Sequence, residues 1–149
     1  MAMIQIPPDF KEFLRLLNCH QVEYLLIGGY AVGYYGFVRA TGDMDVWVKI
    51  NPENAIRVVT TLKEFGFAVP ELSPELFLKE DQIVRMGVPP LRLEILTSIS
   101  GVEFTACFEN RLIAQIDDLD VNLINLEDLK INKQASRRLK DLLDLENLP

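Results

Sequence analysis

Apolar residues in this chain recur first at helical spacing and then in short runs, and the two patterns alternate. Phe10, Phe13, Leu14 and Leu17 share one helical face. Asp9 is placed to cap that helix, with Glu12 three residues on to complete a capping box, and His20 to end it. Val22 to Ile27 is a short apolar run stopped by Gly28-Gly29, which predicts a buried strand. Ala31 to Tyr35 predicts a short helix ending at Gly36. Met44 to Ile50 alternates, with Val46, Val48 and Ile50 on one side and Asp45, Trp47 and Lys49 on the other, so it predicts a strand with one face in the core. Asn51 followed by Pro52 is a helix start, Ile56, Val59, Leu62 and Phe65 give that helix its buried side, and Gly66 stops it.

The second half repeats the alternation. Gln82 to Gly87 and Leu91 to Leu96 predict two strands joined tightly through Pro89-Pro90. In the second of them Leu93, Ile95 and Thr97 face one way and Arg92, Glu94 and Leu96 the other. Arg111 to Ile116 and Asp120 to Ile124 predict strands around an Asp117-Asp118 turn. Asn125 then caps a helical tail over about 126–148, carrying Leu126, Leu129, Ile131, Leu139, Leu142, Leu143 and Leu145. This order predicts an α/β (α+β) fold, a mixed β-sheet covered by helices, as a single domain over 1–149.

Composition narrows the class. A chain of 149 residues, 49% hydrophobic and 25% charged, has the balance of a globular domain. No apolar run reaches the ~20 residues that span a bilayer, and the N-terminal residues lack the pattern of a signal peptide. A cytoplasmic protein with no membrane partner is expected. Cys19 and Cys107 sit beside apolar residues and are expected to be buried free thiols; two cysteines and one histidine support neither a disulfide framework nor a zinc site. Trp47, Tyr30, Tyr34 and Tyr35 read as core or interface. The net charge of −7 repels phosphate backbones, so extended nucleic-acid binding is not expected, although a small basic pocket for one nucleotide remains compatible.

The chemistry concentrates between Leu26 and Val48. A strand runs into Gly28-Gly29, a helical turn follows, and a second strand opens with carboxylates at alternate positions, Asp43 and Asp45. Residues i and i+2 of a strand share a face, so the two carboxylates converge on one point. Like charges so placed favour a divalent cation, and Mg²⁺ combines carboxylates with substrate phosphates and water. Glycines without Cβ atoms let a phosphate approach the backbone. The bland alternative is a solvated strand start beside a tight turn.

Ile27-Gly28-Gly29, thirteen further residues, then Asp43-Met44-Asp45-Val46 resembles the signature of the polymerase-beta-type nucleotidyltransferase superfamily. The resemblance implies a nucleotidyltransferase fold and a third carboxylate on a later strand, which Glu94 matches as metal ligand or base. Many relatives carry Asp there, and Tyr30 replaces the small polar residue that usually follows the glycines. Glu94 paired with Arg92 or Arg85 as an ordinary strand position is the competing reading. The tail from Asn125 to Glu146 is similar to that of small stand-alone nucleotidyltransferases of bacteria and archaea, including those of toxin–antitoxin and abortive-infection systems.

The resemblance implies Mg²⁺, as a two-metal site, and a nucleoside triphosphate (NTP) substrate. Gly28, Gly29, Lys133, Arg39 and Arg137 are its candidate nucleotide-binding residues, and Asp43, Asp45 and Glu94 its catalytic and metal-holding ones. Lys133, Arg137 and Asp141 recur every four residues and are expected on one helical face; Thr41 divides between loop structure and substrate contact. The expected activity is transfer of a nucleoside monophosphate to a hydroxyl. The alternatives are a weakly catalytic or non-catalytic antitoxin-like partner of a toxin protein, and a toxin that modifies tRNA. A homo-oligomer is compatible with all three.

Overall fold

The run Tyr24–Ile27 forms strand β1, and all four of its side chains are buried. A strand enclosed on both faces reads as a continuous apolar run, which is how this one is written. The structure is a computed structural model, describing residues 5–88 and 91–149. Its further strands are β2 (Asp43–Val48), β3 (Ile83–Val88), β4 (Leu91–Leu96), β5 (Leu112–Ile116) and β6 (Leu119–Leu123). They form one sheet in the order β3-β4-β2-β1-β6-β5, with β2–β4 and β1–β6 parallel and the other neighbours antiparallel. The mixed sheet with its covering helices is therefore as expected. The connection at Pro89-Pro90 lies outside the described residues.

Helix α1 (Pro8–Cys19) buries Phe10, Phe13, Leu14 and Leu17, the predicted face, and His20 follows its last turn. Phe10 meets Tyr30 edge-on and Phe13 meets Phe65 in the same way, which ties α1 to helices α2 (Gly28–Tyr34) and α3 (Pro52–Phe65). Asp9 does not cap α1. Pro7 holds that position without a side-chain bond, and Asp9 sits inside the first turn, where its charge suits the helix dipole. Asn51 caps α3 by accepting the Asn54 amide, as expected. The buried arc of α3 is centred on Ala55, Val58, Val59 and Leu62, however, so Ile56 points to solvent.

Other departures follow from packing that spacing does not encode. Helix α2 begins at Gly28 rather than Ala31. Trp47 is buried, as expected of a core residue, even though it shares a face with Asp45; helix α4 (Phe104–Glu109), which the apolar pattern does not predict, covers that end of the sheet. Phe104 meets the Trp47 ring edge-on at 5.1 Å between centroids. Both cysteines are free thiols, but Cys19 is exposed and only Cys107 is buried.

The tail divides into α5 (Leu126–Ser136) and α6 (Leu139–Asn147), because Arg137 takes a left-handed backbone with φ 56°. That conformation ends a helix. Lys133, Arg137 and Asp141 therefore do not share a helical face. Helix α6 also packs against expectation: it buries Asp141 and Asp144 and leaves Leu139 and Leu143 exposed, while Ile131 of α5 is exposed too. Among the described residues, no helix is long and apolar enough to cross a membrane.

Candidate active site

Strand register builds the site. On β2, Asp43 and Asp45 alternate with the buried Met44 and Val46, so both carboxylates leave the same face. In the parallel pairing of β2 with β4, Asp45 stands opposite Glu94 and Asp43 opposite Arg92. One strand further out, Arg85 of β3 stands opposite Glu94. Asp43, Asp45 and Glu94 thereby meet at one cleft of about 610 Å³, which is also lined by Gly29, Thr41, Arg39, Arg85, Arg138 and Lys140.

The two glycines make room for this arrangement. Gly28 has φ 69°, and a Cβ there would overlap the Asp45 carboxylate. A Cβ at Gly29 would come within 2.5 Å of the Thr41 hydroxyl. Thr41 in turn donates to the Asp43 carbonyl at 3.2 Å, so the loop before β2 is fastened where it enters the strand.

The carboxylates differ in their surroundings. Arg92 forks onto Asp43, Nε to Oδ1 at 3.2 Å and a terminal nitrogen to Oδ2 at 2.8 Å. These hydrogen bonds hold the Asp43 carboxyl below its ordinary range. Arg85 reaches Glu94 through a single nitrogen, Nε to Oε1 at 3.3 Å. Asp45 has neither partner. Burial, with the Glu94 and Asp43 charges added, pushes it up to about 7, and Lys140 and Lys133 only partly offset the rise.

An oxygen-only donor set of crowded carboxylates fits a hard divalent cation, which would offset the burial and the neighbouring charges that raise Asp45. Among the described residues, no three His, Cys, Asp or Glu groups form a ready cage. Magnesium sites seldom need one, since one or two carboxylates plus substrate phosphates suffice.

The expected phosphate-binding cations are arranged otherwise. Lys133 is buried, with Nζ 3.0 Å from Asp141 Oδ1 and 3.1 Å from Asp144 Oδ2. Arg39 lines the cleft, but its guanidinium forks onto Asp144 at 2.7 and 2.8 Å. Burial opposes ionisation of Asp144, yet Arg39 and Lys133 outweigh it and hold its carboxyl low. Asp141 is likewise opposed by burial, yet hydrogen bonds from Ser136, Lys133 and Arg138 bring it down to about 2. Arg137 sits at the break between the helices and does not line the cleft. Arg138 and Lys140, its close neighbours in the Arg137-Arg-Leu-Lys run, do, as does Arg85. Sequence reasoning missed these three. The basic run was the available signal, but its phase depends on where α5 ends.

No family model and no curated protein sequence matches the chain. Among solved structures, the chain is similar to a Thermotoga maritima protein provisionally named a nucleotidyltransferase, with a TM-score of 0.63 over 95% of this chain and 91% of that one. The two sequences are 14% identical, so the likeness is one of fold: this chain has a nucleotidyltransferase-like α/β architecture.

Proposed function

We propose that this chain is a Mg²⁺-dependent nucleotidyltransferase that moves a nucleoside monophosphate group from an NTP to a hydroxyl acceptor. The observation that carries the reading is the set of three carboxylates, Asp43 and Asp45 on β2 and Glu94 on its parallel neighbour β4, opening on one cleft beside Gly28-Gly29. Asp43 and Asp45 hold the magnesium in this reading, as a two-metal site if Glu94 joins them. Bound there, the ions would neutralise triphosphate charge and polarise the phosphoryl oxygens. The acceptor oxygen bonds to the α-phosphorus, pyrophosphate leaves, and Glu94 takes the acceptor's proton. Arg85, Arg138 and Lys140 at the cleft are the cations placed for the phosphates, and Gly29 brings backbone without a Cβ to the same wall. Lys133 and Arg39 serve through Asp144, fastening α5 and α6 to the loop that leads into Asp43.

Calorimetric titration with ATP, GTP, CTP and UTP in Mg²⁺ tests the reading, on the native chain and on an Asp43→Asn/Asp45→Asn double variant. Binding of one or more nucleotides that the double variant loses is expected, together with loss of turnover in Asp45→Asn. Turnover unchanged in Asp45→Asn would sink the assignment.

One observation favours a second reading, an antitoxin-like role toward a partner toxin protein. Leu139 and Leu143 of α6 stand exposed, Leu139 at 85% and flanked in sequence by the cleft-lining Arg138 and Lys140. Absence of nucleotide binding with retained fold would favour this reading. Modification of tRNA has no comparable support, given the acidic net charge.

A further inference from the structure

The three site carboxylates are not equally available. Arg92 engages both oxygens of Asp43, and its side chain is only about one-third exposed, 34%. The strand register sets the two residues directly opposite each other, so the pair separates by side-chain rotation alone. Arg85 touches Glu94 through one nitrogen and is more than half exposed. Asp45 has no arginine partner at all among the described residues. A planar fork matched to a carboxylate is the strongest of these contacts.

We infer that Arg92 is a positioning residue that competes with the divalent cation for Asp43: it holds the carboxylate while the site is empty of metal and must release at least one oxygen before a cation can take it. The inference rests on the metal-site reading above. Asp45 is then the first foothold of an entering cation, and Asp43 becomes its second ligand only as Arg92 turns away. A free cation pays this displacement with few new ligands in return, whereas a cation carried by a triphosphate brings phosphate oxygens with it. The site therefore loads more readily with the metal–nucleotide complex than with the metal alone.

The test uses Mn²⁺ as the probe, its free concentration read by electron paramagnetic resonance, without nucleotide. The native chain is compared with Arg92→Met, Arg92→Lys, Arg85→Met and Asp45→Asn. Arg92→Met is expected to bind Mn²⁺ several-fold more tightly than the native chain. Arg92→Lys keeps the charge but loses the fork, so it too is expected to bind more tightly, which separates displacement from a simple field effect. It also serves if Arg92→Met fails to fold. Arg85→Met is expected to change affinity less than Arg92→Met.

Mn²⁺ binding that Asp45→Asn abolishes but that neither Arg92 variant alters would overturn the inference and leave the metal site standing. Tightening in Arg92→Met with no change in Arg92→Lys would overturn it as well, since charge alone then accounts for the effect. No Mn²⁺ binding by any variant, even with ATP present, would overturn the metal-site reading and this inference together.

Discussion

Gly28 shows how little space the site leaves around one residue. Its φ of 69° is a conformation that L side chains rarely adopt, and a Cβ would intrude on Asp45. Gly36 has a comparable backbone, φ 119°, but open space around it. Gly36→Ala should therefore cost about 1 kcal/mol in urea unfolding, from the backbone alone, and Gly28→Ala more, because the overlap with Asp45 adds to it. Only Gly28→Ala should also lose Mg²⁺-dependent nucleotide binding; equal binding by the two would show that the bare backbone does not serve Asp45. A second residue-scale prediction concerns Asp45 itself. Its charge is buried beside two others, so it works against the fold when no cation is present. Asp45→Asn removes that charge and keeps the shape. At neutral pH in chelator it should raise stability by about 1–3 kcal/mol while abolishing turnover. A variant that is both inactive and less stable would mean that the ionised carboxylate is held by contacts other than those described.

Elements are legible in the sequence where their own side chains decide their packing. The faces of α1 and β4 and the glycine stop of α3 follow from apolar spacing, and the strand alternation of β2 is enough by itself to set Asp43 and Asp45 on one face. Helix α4 escaped because six residues, Phe104–Glu109, are too few for a helical period to register. The contact of Arg85 with Glu94 is one the sequence allows, but the fork of Arg92 onto Asp43 escaped because it depends on which residues stand opposite each other across the sheet. Helix α6 escaped for a stronger reason: an amphipathic reading turns its leucines inward, but Lys133 and Arg39 wait inside for Asp141 and Asp144. Charge pairing between distant segments overrides the apolar pattern there. Removing Asp144 costs Arg39 its fork and leaves the buried Lys133 with Asp141 alone, so Asp144→Ala should destabilise by about 3 kcal/mol in denaturant unfolding. The pH dependence follows with the same sign. Asp141 ionises near 3.8 in the unfolded chain and at about 2 in the fold, so its contribution is complete above about 4 and is lost as pH falls toward 2. Asp144, also held low, adds loss in the same direction. Acid unfolding of Asp141→Asn should accordingly show a shallower decline between those pH values than the native chain, and an identical slope would assign the acid sensitivity elsewhere.

Across the whole molecule, charge is distributed so that attraction for phosphate is local. The chain carries 15 basic residues against 22 acidic ones, yet Arg39, Arg85, Arg138 and Lys140 all line the one cleft that holds Asp43, Asp45 and Glu94. Of these, Arg39 is already committed to Asp144, Arg85 leans on Glu94 and Arg138 bonds Asp141, although both of the latter arginines are largely exposed. Under the proposed function this group would meet a single triphosphate; it does not extend into a track for a backbone, and the net −7 repels any strand lying beyond the cleft. Polynucleotide affinity grows with the number of phosphates neutralised, so it should be weak here even if one nucleotide binds well. Fluorescence-anisotropy titration of a labelled tRNA and of a labelled homopolymer RNA is expected to give Kd values no tighter than about 10⁻⁴ M at about 0.15 M salt. ATP with Mg²⁺ should bind more tightly than either RNA under the same conditions. A micromolar Kd for tRNA that weakens steeply with added salt would overturn this view, because it would require a basic surface beyond the cleft, and it would favour the end of an RNA as the hydroxyl acceptor of the proposed transfer.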